Sequence, residues 1–354
     1  MSQTSTIEAD SVPLTLKLSN GQIVSFKSNV AKDTGEIPII DIGGIFSDKI
    51  EDRKAVAEKV REASSRIGFF YAINHGIDPR YEEDTFEQAK RFFALPEETK
   101  MKVWTGQVPN EYVGYHPLNA YNNGKRKHND LFEAFNWAYD AKYDPASRLE
   151  DKENITPSIS IWPEEEDLPG FKDALYAYHA QLLTLARKMT RTFALALHMP
   201  EDYFDEHVKC PEAGMQVLHY PQQEAPADDQ NGIGAHTDFE CFTMVTQDAS
   251  GGLEVLSKSG DWVKATPVPG ALVVNIADCL MRQTNDVLVS TVHRVINKSG
   301  KERYSCPFFF GFDRKIPLEP VPGCVSEANP AKYPVMTGGE YYKWRTNMAK
   351  NNND

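Results

Sequence analysis

His236 and Asp238, in the stretch Gly-Ala-His-Thr-Asp-Phe, carry side chains that ligate metals, and His293, in Thr-Val-His-Arg-Val-Ile, supplies a third. Two imidazoles and one carboxylate form the facial ligand set that holds Fe(II) while leaving coordination positions open for other molecules. His236 and Asp238 are two residues apart, so an extended segment points both side chains the same way. A structural zinc site would be closed and usually rich in cysteine, and no Cys-x-x-Cys pair accompanies these histidines. The open, reactive reading is therefore favoured. His-x-Asp pairs also arise by chance, so on these residues alone a metal centre and a coincidence of spacing both stand.

Arg303-Tyr-Ser305 follows shortly after His293. Strand alternation would place Arg303, Ser305, Pro307 and Phe309 on one face. A guanidinium fork beside a hydroxyl suits a carboxylate, through charge-assisted bonds of about 1.5–3 kcal/mol each. The alternative is a surface arginine near a serine, which the apolar run Phe308-Phe309-Phe310 argues against. Gln216, Leu218 and Tyr220 alternate in the same way, and could line the opposing wall with the Tyr220 hydroxyl available to a carboxylate.

These residues need a scaffold, and the chain is long enough for one: 354 residues, 41% hydrophobic, suffice for one large core or two closely packed lobes. Leu14 to Phe26 alternates around Ser-Asn-Gly and suggests a small hairpin in a peripheral extension, residues 1–36. Ile37 to Ile42 and Gly68 to His75 read as short buried strands. Between them a helix carries Val56, Val60, Ala63 and Ile67 on one face, and Pro79 opens another that runs to about Ala94. From Trp104 to Trp162 the composition, rich in Asn, Tyr, Gly and Pro, predicts irregular loops. Leu168 to Leu197 regains helical periodicity, with Leu175, Tyr178, Leu182, Leu185, Met189, Phe193 and Ala196 on one stripe. Beyond residue 210, β-type runs at 216–220, 242–247, 253–256, 262–266, 271–276, 290–297 and 303–312 alternate with turn residues, which indicates a sandwich or barrel. The expected fold is mainly β with added helices (α+β), the helices of the first half buttressing a sandwich made by the second.

Composition narrows the function. A net charge of -13 argues against a general affinity for nucleic acid or anionic membrane. The basic run at 124–128 reads as solvated surface. No apolar run approaches a membrane span, the N-terminus lacks the features of a signal peptide, and the 5 cysteines are scattered and odd in number. The expectation is a cytoplasmic protein with reduced thiols, whose sequon at Asn154 is a chance match. No oligomer signal is present, and a monomer is compatible with all of this.

The order of motifs resembles a known family. His-Thr-Asp-Phe, Gln247-Asp248, Gly-Gly-Leu-Glu-Val, Asp-Trp-Val, Pro-Val-Pro-Gly, Val-Val-Asn-Ile-Ala-Asp, Thr-Asn-Asp, Ser-Thr-Val-His-Arg-Val and Arg-Tyr-Ser follow the isopenicillin N synthase-like branch of the Fe(II)/2-oxoglutarate-dependent dioxygenases throughout. Ile37-Pro-Ile-Ile-Asp-Ile, Gly-Phe-Phe-Tyr-Ala-Ile-Asn-His-Gly and Phe-Phe-Ala-Leu-Pro are similar to its N-terminal region, so the resemblance spans about residues 37–314. It implies a distorted double-stranded β-helix, or jelly roll, with Fe(II) held by His236, Asp238 and His293. It also implies 2-oxoglutarate chelating that iron, its far carboxylate on Arg303 and Ser305 beside Tyr220. O2 would be consumed, succinate and CO2 released, and a small molecule hydroxylated, desaturated or cyclised, plausibly in specialised metabolism, with ascorbate helpful in vitro. The implied division is an N-terminal dioxygenase region (37–150), a helical linker (151–209), a catalytic core (210–314) and a C-terminal lid segment (315–354).

The chain departs from the family pattern in places. Leu218 stands where an asparagine is common, Ala277 where a glycine is usual, and Glu240-Cys241-Phe242 is bulkier than common. If the strand stays regular, Phe242 shares the ligand face and narrows the pocket; a turn after Asp238 would break that. Substrate selection is expected from Tyr115, Phe132 and Phe135 in the first half, with Gln216, Phe242 and Phe309 from the sheet, each of which also reads as core. Two other readings stay open: an oxidase of this fold that uses no 2-oxoglutarate, like isopenicillin N synthase or aminocyclopropane-carboxylate oxidase, and a metal-binding sensor without turnover.

Overall fold

Fourteen strands and six α-helices make up the described residues of the computed structural model, which are 14–18, 22–108, 111–121, 128–147, 160–223 and 230–351. Most of the basic run at 124–128, and Asn154, lie outside them. In chain order the elements are β1 (Leu14–Lys17), β2 (Ile23–Phe26), β3 (Ile39–Asp41), α1 (Ile50–Arg66), β4 (Phe69–Ile73), α2 (Pro79–Phe93), α3 (Glu97–Met101), β5 (Gly114–His116), β6 (Glu133–Trp137) and α4 (Phe171–Ala196). Then come β7 (Glu212–Tyr220), β8 (Ile233–His236), β9 (Phe242–Gln247), β10 (Leu253–Leu256), β11 (Trp262–Lys264), β12 (Leu272–Ile276), α5 (Asp278–Gln283), β13 (His293–Val295), β14 (Arg303–Gly311) and α6 (Gly338–Asn351).

The strands form a major sheet in the order β3-β4-β12-β9-β14-β7-β6-β5 and a minor sheet in the order β11-β10-β13-β8, with β1-β2 as a separate hairpin. Every pairing is antiparallel except β3 with β4. Between the two sheets lies a core of Phe69, Tyr71, Leu218 and Val273 from the major sheet against Leu253, Val255, Val263 and Val295 from the minor one. The outer face of the major sheet packs on α4, whose stripe Leu175, Tyr178, Leu182, Leu185, Met189, Phe193 and Ala196 is buried as its period requires. Helices α1 and α2 close over α4 from the far side. Asp78 caps α2, its side chain accepting the Arg80 N–H, with Pro79 at the first helical position, where a missing N–H costs nothing.

Two differences from the sequence reading matter for function. The stretch 104–162, expected to be loops, contributes β5 and β6, which extend the major sheet beyond β7. In β6 the residues Phe135 and Trp137 join the helix-side core, which turns Ala134 and Asn136 to the sandwich interior. The run 290–297 is extended only over His293–Val295, because a register shift interrupts its pairing with β8. Among the described residues no helix is long and apolar enough to cross a membrane.

Candidate metal centre and its two chambers

β8 and β13 are neighbours, and their register sets His236 directly opposite His293, ring centroids 4.3 Å apart. Asp238 follows β8 by two residues and brings Oδ1 to 3.6 Å from His236 Nε2 and 3.5 Å from His293 Nε2. The three candidate ligand atoms lie within 4.8 Å of one another. Every other polar atom of these side chains is already engaged. His236 Nδ1 pairs with the Gly234 carbonyl at 2.8 Å and His293 Nδ1 with the Thr291 carbonyl at 3.0 Å, which leaves both Nε2 lone pairs facing the centre. Asp238 Oδ2 accepts from Thr243 Oγ1 at 2.5 Å and Asn275 Nδ2 at 2.8 Å. Burial, then the neighbouring His293, lowers the His236 imidazole to about 4, so it is neutral near pH 7. Burial opposes ionisation of Asp238, but the charges and bonds of His293 and His236 outweigh it and hold the carboxyl well below its usual range. Two neutral-capable nitrogens and one oxygen, with the remaining sides open, fit Fe(II).

The turn after Asp238 is pinned by the start of α5. The Asp278 N–H donates to the Asp238 carbonyl, and the Cys279 N–H to the carbonyls of Phe239 and Glu240. This turn resets the alternation: Phe242 faces away from the metal centre and packs on Phe193 and Phe310, 5.1 and 5.3 Å away. Ala277 takes φ -115° and ψ 175°, a conformation open to any residue, so the missing glycine carries no strain.

On one side of the centre lies a cavity of about 70 Å³ lined by Arg303, Ser305, Pro307 and Phe309 of β14 and by Gln216, Leu218 and Tyr220 of β7. β7 is the hydrogen-bonded neighbour of β14, so these residues form an adjoining wall rather than an opposing one. Arg303 is 1% exposed. Its Nε donates to the Gly251 carbonyl at 2.6 Å, its two terminal nitrogens to Ser305 Oγ at 3.0 Å and Gln247 Oε1 at 3.3 Å, and it stacks 4.6 Å from the Tyr220 ring. Among the described residues no carboxylate lies within 4.0 Å of this buried cation. Burying a charge without a counter-charge is costly. A ligand carboxylate would supply what is missing.

On the other side opens a larger cavity of about 230 Å³. Phe132, Gln216 and Phe309, three of the residues expected to select substrate, line it. Tyr115, Phe135 and Phe242 line neither cavity. Tyr115 is fully buried with its hydroxyl on Glu133 at 2.8 Å, and Phe135 sits in an aromatic cluster with Phe92, Trp162 and Phe171, because both point to the helix side of the sheet. The wall carries instead Tyr112, His116, Tyr121 and Asn136 from the region read as loops, and Tyr342 from α6. The signal for Asn136 was present in the alternation of Glu-Ala-Phe-Asn-Trp; nothing in the sequence located the others. Glu240 also lines it, its carboxyl pushed up to about 8 by burial and by the charge of Asp238.

Comparison with known proteins agrees with this geometry. A family model described as the 2OG-Fe(II) oxygenase superfamily matches residues 211–312, and one described as the N-terminal region of a non-haem dioxygenase in morphine synthesis matches 37–165. The chain is 40% identical over 312 residues to the 2-oxoglutarate-Fe(II) type oxidoreductase ppzC of Metarhizium majus, covering 84% of this chain and 83% of that protein. Among solved structures it is similar to a full-length Neurospora crassa protein in complex with alpha-KG and thymine, with TM-score 0.78 and 28% identity over 92% of this chain and 100% of the other. A putative 2OG-Fe(II) oxygenase family protein from Caulobacter crescentus matches with TM-score 0.75 and 31% identity, covering 88% and 98%.

Proposed function

Because the chain belongs to the 2OG-Fe(II) oxygenase superfamily, we propose that His236, Asp238 and His293 hold its iron, and that Arg303 with Ser305 holds the far carboxylate of 2-oxoglutarate in the smaller cavity. Enzymes of this family use Fe(II), 2-oxoglutarate and O2, and this fold is their jelly roll. The observation that carries the assignment is complementary satisfaction. The atoms facing the centre are free to ligate, their partners on the other side are all occupied, and a buried guanidinium without a carboxylate lies beside them.

When bound, the iron with 2-oxoglutarate supplies the oxidising chemistry: O2 is consumed, 2-oxoglutarate leaves as succinate and CO2, and the second oxygen atom hydroxylates the substrate, desaturation and ring closure being variants. The protein's own part is positional. The backbone carbonyls of Gly234 and Thr291 keep the imidazoles in the ligating tautomer, Thr243 and Asn275 turn Oδ1 of Asp238 inward, and the Tyr220 ring supports the guanidinium. The larger cavity takes the molecule to be oxidised, a small one, as the alpha-KG and thymine complex of the Neurospora protein supports. Region 37–150 and the segment 315–354 shape its mouth, through Tyr112, His116, Tyr121 and Tyr342. The name of the Metarhizium relative supports an oxidoreductase, and a role in specialised metabolism fits it. The five free cysteines support work in a reducing cytosol.

Anaerobic addition of Fe(II) and then 2-oxoglutarate tests the assignment. A visible charge-transfer band is expected, together with succinate formation once O2 is admitted. Arg303→Ala should raise the 2-oxoglutarate concentration needed roughly ten- to hundredfold, the loss of one or two charge-assisted bonds. Arg303→Lys should rescue little, since an ammonium lacks the fork. An unchanged requirement in Arg303→Ala would remove that residue from the site, and O2 uptake without any band would favour the oxidase that uses no 2-oxoglutarate.

A further inference from the structure

The larger cavity is unusual in what its polar groups lack. Asn136 on β6 and Gln216 on β7 are cross-strand partners in register, and both face the cavity. The Asn136 Oδ1 atom is buried without a hydrogen-bond partner, and neither carboxamide pairs with another side chain or backbone group among the described residues. Burying the Asn136 oxygen unpaired costs about 1–3 kcal/mol and calls for a donor; with the half-buried, unpaired Gln216 amide beside it, the pair suits a ligand that both donates and accepts. Next to Gln216 the floor is Gly214 and Ala134, which leaves the two amides standing clear. A Cβ on Gly214 would meet only the Trp137 carbonyl, at 3.9 Å, so the glycine is not demanded by packing; it keeps the floor open.

Beside these amides, around β5 and the approach to β6, the cavity wall is flat and aromatic. Tyr112 lies parallel to His116 at 7°, and Tyr121 parallel to Phe132 at 9°, with centroids 5.8 Å apart in each pair. Among the described residues no Lys or Arg lines the cavity, and its carboxylates are Glu212, Asp238 and Glu240. Glu212 is engaged by Arg314. An anionic substrate would find no counter-charge there. A volume of about 230 Å³ suits a compact molecule.

We infer that this cavity selects a compact, flat, uncharged ring whose edge carries an N–H beside a C=O, as in a lactam or cyclic imide, and that Asn136 and Gln216 read that edge. The inference deepens the oxygenase reading and rests on it for one point, that the cavity beside the metal holds the molecule oxidised. A carboxamide presents one acceptor and two donors, so a pair in register matches an amide edge in either direction. The parallel rings contribute stacking to a flat partner. A site built to hydrogen-bond a substrate group rejects the analogue lacking it far more strongly than an apolar pocket rejects a missing methylene.

The test uses the full chain loaded anaerobically with Fe(II) and 2-oxoglutarate, whose paramagnetic iron broadens the proton signals of any molecule seated beside it. The probes are δ-valerolactam, 2-pyridone and glutarimide, their N-methyl counterparts, and toluene, benzylamine and benzoate. The N–H compounds should broaden at least five-fold more strongly than their N-methyl forms and than toluene. Asn136→Leu combined with Gln216→Leu should abolish that preference, and Gly214→Leu, which fills the floor, should abolish broadening of every probe. Equal broadening by N-methyl compounds or toluene, strongest broadening by benzylamine or benzoate, or none by any probe would overturn the inference. The visible Fe(II)–2-oxoglutarate band separates the two failures: with the band intact only the substrate class falls, and without it in the unaltered protein the oxygenase assignment falls first.

Discussion

Asp238 shows how a single carboxylate is divided between two tasks. Oδ1 faces both imidazoles, and Oδ2 is held by Thr243 and Asn275, so the group cannot rotate to chelate with both oxygens. Asn275→Ala removes one of the two bonds without touching a ligand. Iron affinity should fall roughly ten- to a hundredfold, the usual effect of losing a group that orients a metal ligand, measured by anaerobic Fe(II) titration. An unchanged affinity would mean that Thr243 alone suffices. At this scale the sequence was informative where residue types are rare and their spacing matches a strand, as for His236, Asp238, His293, Arg303 and Ser305. Thr243 and Asn275 escaped notice because they reach Asp238 from β9 and β12, and only the pairing of those two strands brings them together.

Helix α6 is more than a cover. Arg345, 1% exposed, pairs with Asp278 at the start of α5 and donates to the Thr237 carbonyl at 3.3 Å, while the Tyr341 hydroxyl donates to Asp278 at 3.1 Å. Thr237 lies between His236 and Asp238, so the helix grips the segment that carries two of the proposed iron ligands. Arg345→Met leaves Asp278 buried without its main partner, a loss of about 3–5 kcal/mol in local docking. Amide exchange across 338–348 should speed up, and the substrate KM should rise, while the Fe(II)–2-oxoglutarate band persists; a protected helix with unchanged KM would refute the latch. A second network joins α3, β5, β6 and β7. Glu133, 3% exposed, accepts from Lys100 at 2.7 Å and Tyr115 at 2.8 Å and pairs with His219 at 2.8 Å. Burial would raise its carboxyl, but the bonds from His219, Lys100 and Tyr115 outweigh it and the shift is downward. A depressed carboxylate contributes stability that is present above the unfolded value of about 4.3 and lost as pH falls through the lower folded value. Glu133→Gln should lower the urea midpoint at pH 7, because it takes away the closest counter-charge of the buried Lys100 and leaves it the longer contacts to Glu97 at 3.6 Å and the Phe93 carbonyl at 3.4 Å, and should flatten the acid decline; an equally steep decline would place the acid sensitivity elsewhere. This network also accounts for the misreading of 104–162. Its strands bury a glutamate and a tyrosine hydroxyl in place of the apolar residues that pattern reading looks for, whereas α4 and β9 follow their periods and were plain.

The whole molecule brings residues from distant parts of the chain to the open end of one sandwich: the proposed iron ligands from the minor sheet and the turn after β8, Arg303 and Tyr220 from the major one, and the cavity wall from β5, β6 and α6. Short strands with regular turns made a sandwich or barrel legible, and the order of motifs, through the family it resembles, implied the jelly roll. The wall was not, since residues such as Tyr112 and Tyr342 belong to it through chain topology and not through local pattern. That construction makes metal and cosubstrate binding a property of the folded state alone, so each must stabilise it by linkage. At a hundredfold excess over its dissociation constant a ligand contributes about 2.7 kcal/mol. With an unfolding entropy of about 2.1 cal/mol/K per residue, that raises Tm by about 4 °C for a chain of this length. Fe(II) should give one such increment, 2-oxoglutarate a second that requires the metal, and a chelator should reverse both. Arg303→Ala should keep the first increment and lose about half or more of the second at the same cosubstrate concentration, whereas Asp238→Ala should lose both. A 2-oxoglutarate increment that survives in Asp238→Ala would show the cosubstrate binding independently of the iron, and would separate the smaller cavity from the proposed iron site.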